Sequence, residues 1–337
     1  MSSMNVQAVG PVSPASSRMR TLRRPGPSAL YGWTSPDAIF RKACAAFAAA
    51  IVALLGLLIF ELVRGSRLSL SGFGAHFLVE RVWDPVAGRF GAAAFAYGTI
   101  VTSTIALVLA VPLGVGIAVF LVEMAPRRFG AVTGFLVELL AAIPSIVYGL
   151  WGLFVLAPIV REVVAPALGH TLGFLPLFSG TSHGVGMLTA GLILAIMVLP
   201  FIAAVSRDVL TAVPQTQREA SLALGATKWE TIWHVVLPYG RAGIAGAVIL
   251  ALGRALGETM AVTMVIGNNP QIVASLFEPG YTMSSVIANE YGEASGPLYL
   301  SALTELGLVL FLVTFVLNAL ARLLIWRMAR VGPRGRA

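Results

Sequence analysis

Arg254 and Glu258 stand four residues apart in Gly253-Arg-Ala-Leu-Gly-Glu-Thr-Met-Ala-Val-Thr-Met-Val-Ile-Gly-Asn268, a stretch otherwise apolar enough to lie inside a bilayer. An isolated charge near the bilayer centre costs about 2.5–3.5 kcal/mol on insertion scales, so something must compensate the guanidinium. Spacing of i,i+4 on a continuous helix would put Glu258 on the same face and predicts an ion pair that offsets part of that cost. The same guanidinium has a further use, because its planar fork of donors can take an oxyanion bidentately while Glu258 holds or releases it. Charges retained in membrane segments mark pathways, which favours this second reading. Glu138 and Glu305 also fall in apolar runs. Each is a candidate path-lining residue or an acid near enough to a helix end to reach water, and the latter reading is preferred. Gly253 and Gly257 form a small-xxx-small pair that suits close approach of another helix.

Other chemistries find no residues to carry them. A phosphate-cradling loop needs Gly-Lys-Ser/Thr, and the two lysines, Lys42 and Lys228, follow Arg41 and Thr227. Nucleotide hydrolysis is therefore not expected of this chain. His76, His170, His183 and His234 lack the i,i+4 spacing that would place two imidazoles on one helix face, so no metal site is expected. Cys44, the single cysteine, permits no intrachain disulfide.

A second motif lies between apolar runs: Arg218-Glu-Ala-Ser-Leu-Ala-Leu-Gly-Ala-Thr-Lys-Trp-Glu-Thr-Ile-Trp-His-Val-Val-Leu-Pro238. Small and apolar residues precede Gly225, amphipathic ones follow it, and Pro238 closes the segment. This pattern predicts two short helices joined at a glycine, a knob that fits a partner's groove.

The residues carrying chemistry must be held by membrane helices. The chain of 337 residues is 57% hydrophobic and 11% charged, with mean hydropathy +0.86, whereas soluble domains carry about a quarter charged residues. Crossing a roughly 30 Å hydrocarbon core takes about 20 apolar residues. Six runs qualify: about Ala43 to Val63, Ala92 to Val122, Ala131 to Ala157, Val185 to Val205, Ala242 to Ile266 and Leu298 to Ile325. The second contains Pro112 and exceeds a bilayer thickness, so tilting, kinking or extension is expected. Residues 1–40, rich in Ser, Pro, Gly and Arg, read as a disordered basic tail, and 41–330 as the membrane domain. The first run begins late and is followed by Arg64-Gly-Ser-Arg67, which argues against a cleaved signal.

Six spans put both termini on one side. Seventeen Lys and Arg residues fall on that side, from Arg18 to Lys42, at Arg127 and Arg128, from Arg207 to Arg241 and from Arg322 onward, against five on the other. By the positive-inside rule both termini are cytoplasmic. The asymmetry also accounts for a pI near 10.2 without nucleic acid. Residues 267–297, which have no Lys or Arg, then face outward with the loop 158–184.

The cytoplasmic loop resembles that of the inner-membrane permeases of binding-protein-dependent ABC importers. Their motif is Glu-Ala-Ala, three residues, Gly, nine residues, Ile, any residue, Leu-Pro. Here Glu219, Ala220, Ser221, Gly225, Val235, Leu237 and Pro238 keep the spacing, with Ser for the third alanine and Val for isoleucine. The stretches Gly253–Asn268 and Ile143-Pro-Ser-Ile-Val-Tyr-Gly-Leu-Trp-Gly152 further resemble the PstC-type permeases of phosphate-specific importers, over about Ala43 to Trp326. That resemblance implies an all-α, polytopic type I importer permease that docks an ATPase through the loop and translocates phosphate past Arg254 and Glu258. It implies a homologous second permease (PstA-like), an ATPase dimer (PstB-like) that binds the ATP and magnesium, and an extracytoplasmic phosphate-binding protein (PstS-like), with no cofactor in this chain. Alternatives are a sister PstA-type permease, a sulfate or molybdate permease, or a secondary transporter or channel using Arg254, Glu258, Glu138 and Glu305 as a relay.

Overall fold

The computed structural model describes residues 36–331. In order these form α1 (Pro36–Gly65), α2 (Arg67–Phe73), α3 (Ala93–Met124), α4 (Arg127–Ala141), α5 (Ser145–Leu172) and α6 (Met187–Thr211). There follow α7 (Gln215–Ala223), α8 (Lys228–Gly257), α9 (Met260–Val265), α10 (Met283–Glu290) and α11 (Pro297–Val331). No strand occurs among the described residues beyond an isolated bridge between Asp84 and Arg89. Six helices, α1, α3, α5, α6, α8 and α11, are long and apolar enough to cross a bilayer.

The chain divides into two units after Leu57. The described part of the first is the start of α1, whose apolar side chains are exposed. The second holds all the remaining helices, and its packing starts from α3. A small residue recurs there at every fourth position, Ala94, Gly98, Thr102, Ala106, Ala110, Gly114 and Ala118, all buried. Such a stripe lets backbones approach closely where lipid removes the usual hydrophobic drive. A Cβ at Gly114 would lie 2.9 Å from Ile202 of α6, and one at Gly191 of α6 would lie 2.6 Å from Ile105. Gly98 sits against the backbone of Tyr281, where a Cβ would meet the carbonyl oxygen at 2.2 Å. Of the pair Gly253 and Gly257, a Cβ on the first would meet Asn318 of α11 at 3.8 Å and one on the second would meet none of the described residues within 4 Å.

An aromatic knot ties the segment after α2 to α10 and α11. Trp83 Nε1 donates to the Glu290 carboxylate at 2.8 Å, and the Tyr299 hydroxyl donates to the same oxygen at 2.6 Å. Phe90 and Phe95 each set their rings edge-on to Trp83 at 4.9 Å.

Several expected boundaries move. The run from Ala131 to Ala157 is two helices, because Pro144 has no N–H to give and disfavours helical geometry at Ile143, so α4 ends at Ala141 and α5 starts at Ser145. Most of the expected loop 158–184 is helical as far as Leu172. The run Ala242 to Ile266 is likewise divided, between α8 and α9. Helix α3 continues through Pro112 to Met124. Residues 36–40 of the expected tail already belong to α1, while residues 1–35, with Arg18, Arg20, Arg23 and Arg24, lie outside the described residues. Arg334 and Arg336 do too.

Candidate functional site

Helix α8 stops at Gly257. Glu258 has an extended backbone (φ −69°, ψ 128°), Thr259 turns the chain (φ −112°, ψ −65°), and α9 resumes at Met260. The expected i,i+4 face therefore does not exist, and among the described residues Arg254 and Glu258 form no ion pair. The break leaves backbone groups without helical partners, and in hydrocarbon each such group costs several kcal/mol. Local side chains satisfy them. The Glu258 carboxylate accepts from the Ala261 N–H at 3.4 Å, and the Ser284 hydroxyl donates to the Glu258 carbonyl at 2.7 Å. The Thr259 hydroxyl donates to Gly257 O at 3.2 Å. At the far end of α9, Asn268, in the left-handed region (φ 52°), donates from its amide to Thr263 O at 3.1 Å.

Around the break, the two stretches singled out in the sequence meet. Gly149 of α5 lies against α9, where a Cβ would come 3.0 Å from the Ala261 Cα and 2.7 Å from the Met264 sulfur. Gly152 likewise faces Val265 and Ile193. One turn before the break, Arg254 is exposed, and in α5 the Tyr148 hydroxyl donates to Leu140 O at 2.8 Å. No hydrogen bond or ion pair among the described residues occupies the Arg254 guanidinium. Helix α10 seats the other side of the break. Thr282 caps it by accepting from Ser285 N, and Thr99 of α3 accepts from Met283 N at 3.0 Å. Just before α10, burial pushes the Tyr281 hydroxyl up to about 12, so it stays neutral and accepts from Asn289. Of these groups, Tyr148 lay unremarked within a quoted stretch and Ser284 carried no signal of its own.

The second candidate region is the segment from α7 to α8. Gly225 makes the bend with φ +89°, and a Cβ there would meet nothing within 4 Å. It is needed for its left-handed backbone rather than for space. Thr227 and Glu230 then form a reciprocal capping box that starts α8. The expected second short helix is not separate: α8 runs from Lys228 straight into the membrane-length segment. It passes Pro238 by widening into a π-type turn over Ile232–Val236. The Ser221 hydroxyl meets that of Thr231 at 3.0 Å and holds α7 against α8. The tip is apolar and bare, with Leu224 90% exposed and Leu222, Trp229 and Trp233 exposed beside it. Glu219 and Ala220 are exposed, whereas Val235 is half-buried. Underneath lies a small core of Ala118, Val119, Leu210, Val213, Ile232 and Val236, contributed by α3, α6, α8 and the link after α6.

The structure does not bring Glu138 or Glu305 to the break. Glu138 is exposed on α4 and pairs with Arg207 of α6, whose guanidinium lies across Gly134. Glu305 on α11 is 3% exposed, with Oε2 lacking a hydrogen-bond partner, close to Ser69 and Ser301. Arg218, named in the sequence only as the start of the loop motif, is the best-connected charge of the region. It donates to Glu123 at 3.0 Å, to Leu210 O at 2.8 Å and to Val213 O.

Comparison with known proteins places this geometry. The profile of the family described as binding-protein-dependent transport system inner membrane component matches residues 110–330. The phosphate transport system permease protein PstC of Mesorhizobium japonicum is 49% identical over 322 residues, 94% of this chain and 96% of that protein. The PstC of Pasteurella multocida is 50% identical over 298 residues, covering 87% and 93%. Among solved structures, the bacterial alginate ABC transporter in complex with an alginate-bound periplasmic protein shares the fold. Its TM-score is 0.56, at 16% identity, over 87% of this chain and 97% of that one.

Proposed function

The chain belongs to the family of binding-protein-dependent transport system inner membrane components, and on that premise we propose that it is the permease through which an ATP-driven importer passes inorganic phosphate into the cytoplasm. It is a transporter component rather than a catalyst of covalent chemistry. The observation that carries the phosphate reading is the near full-length identity of 49% to a phosphate permease. The unoccupied guanidinium of Arg254 beside the broken helix supports it chemically. Discontinuous helices in transporters put free backbone groups and charges near the midplane, where cargo is handled.

In this reading a homologous second permease completes the pathway, and an extracytoplasmic binding protein delivers phosphate to the face carrying residues 267–297. A pair of ATPase subunits, which bind the ATP and magnesium, grips the tip around Leu224 and Gly225. Both termini are cytoplasmic. Arg254 meets the phosphate oxyanion during passage, and Glu258 serves the site through the backbone, as the acceptor that starts α9. The seven motif residues Glu219, Ala220, Ser221, Gly225, Val235, Leu237 and Pro238 shape the docking segment, while Glu138, paired with Arg207, and the buried Glu305 stand away from the break.

Reconstitution of the complete complex in vesicles, with labelled phosphate and with sulfate and molybdate as competitors, tests this directly. Uptake should require ATP and the loaded binding protein and should resist both competitors. Equal transport of sulfate or molybdate would remove phosphate as the cargo, and uptake without the ATPase would make the protein a secondary transporter.

A further inference from the structure

Arg218 immediately precedes Glu219 of the docking motif, yet its side chain turns away from the exposed tip and inward. Three nitrogens of one guanidinium serve three acceptors on two membrane-length helices and the link between α6 and α7. Nε lies 3.0 Å from Glu123 Oε1 near the end of α3, Nη2 lies 2.8 Å from Leu210 O in the last turn of α6, and Nη1 donates to Val213 O. Nη2 also lies 3.0 Å from the Glu123 carboxylate, and the two side chains are only 12% and 10% exposed. Leu210 O, which also accepts from the Val213 N–H at 3.3 Å, lies in the last turn of α6, where a cation is favoured, and Val213 O lies just beyond it in the link. Beside the pair an open cavity is bordered by Val122, Thr211, Gln215, Leu222 and Lys228. The junction is thus held by charged hydrogen bonds rather than by close packing on that side.

We propose that Arg218 is a positioning residue for energy coupling: through Glu123 and the carbonyls of Leu210 and Val213 it makes the docking helix α7 move as one body with α3 and α6. The proposal rests on the importer reading above. If α7 were displaced without α3 and α6, a nearly buried carboxylate and the carbonyls of Leu210 and Val213 would lose a charged donor together, and breaking one side of a buried pair is strongly destabilising. Moving the three elements together keeps every bond. Lysine cannot substitute, because a single ammonium does not span acceptors that the guanidinium reaches with separate nitrogens.

The test uses the full reconstituted complex and measures, in the same vesicles, ATP hydrolysed and phosphate taken up. The wild type comes first: failure of ATP-driven phosphate uptake there would strike the importer reading and not the coupling role. With the wild type active, Arg218→Lys and Glu123→Gln should both assemble and hydrolyse ATP. Phosphate transported per ATP should fall about tenfold, within the range of coupling between linked sites. Glu123→Gln keeps the shape and one hydrogen bond, so it carries the test should Arg218→Lys fail to assemble. A wild-type transport ratio in either assembled variant overturns the proposal. Loss of assembly in both would reduce the pair to a structural tie and overturn it as well.

Discussion

At the scale of single residues, the function turns on whether Arg254 is neutralised by its own chain. The sequence places Glu258 one turn away, and only the backbone break shows that the carboxylate is used elsewhere, on the Ala261 N–H. This separates two outcomes that would otherwise look alike. Were the two charges a mutual ion pair, removing both would leave nothing uncompensated and the double variant would recover. With Arg254 unpaired, Arg254→Gln should abolish phosphate uptake in an assembled complex, and Arg254→Gln/Glu258→Gln should remain inactive. Near wild-type uptake by that double variant would return the pair to a structural role. Ser284 belongs to the same scale. Ser284→Ala strands the Glu258 carbonyl at a cost of about 1–3 kcal/mol, so uptake and the thermal midpoint of the complex should both fall, and Ser284→Thr, which keeps the hydroxyl, should hold them. Unchanged uptake in Ser284→Ala would mean that the break stands without this bond.

At the scale of elements, the docking segment is a bend whose demand is conformational. The φ of +89° at Gly225 with open space around it means that a side chain adds strain without collision. A residue other than glycine in the left-handed region costs roughly 1–2 kcal/mol, least for asparagine. Gly225→Asn should therefore keep binding-protein-stimulated ATP hydrolysis coupled to uptake, whereas Gly225→Leu should uncouple them, as measured by the ratio of the two rates. Equal coupling in both variants would show that the bend tolerates any residue. Hydropathy made the six spans and the bend legible, because length, apolar runs and a glycine between periodic segments are local signals. It could not show the break before Pro144, since Ala141 and Ile146 on either side are equally apolar. Nor could it show the break after Gly257, where the pattern continues through Met260 and Val262. The Arg218 link was beyond sequence reasoning for another reason: its carboxylate lies 95 residues away, and no periodicity joins them.

At the scale of the whole molecule, the concentration of Lys and Arg at the ends that include the docking segment predicts that this side is cytoplasmic. Ser284 is buried against the break, whereas Ser295 is exposed in the segment between α10 and α11 and can report the side this segment faces. In a Cys44→Ala background, Ser295→Cys should react with a membrane-impermeant thiol reagent in intact cells, and reaction only after lysis would invert the topology. The aromatic knot has a consequence in time. Trp83 is made 207 residues before the Glu290 it binds, and at roughly 5–20 residues per second the ribosome leaves it waiting about 10–40 s. For that interval the indole, with Phe90 and Phe95 around it, has been synthesised but cannot yet be sealed. Closure of this region is thus among the last events of biogenesis, set by the emergence of the final helix rather than by the order in which the earlier ones enter the bilayer.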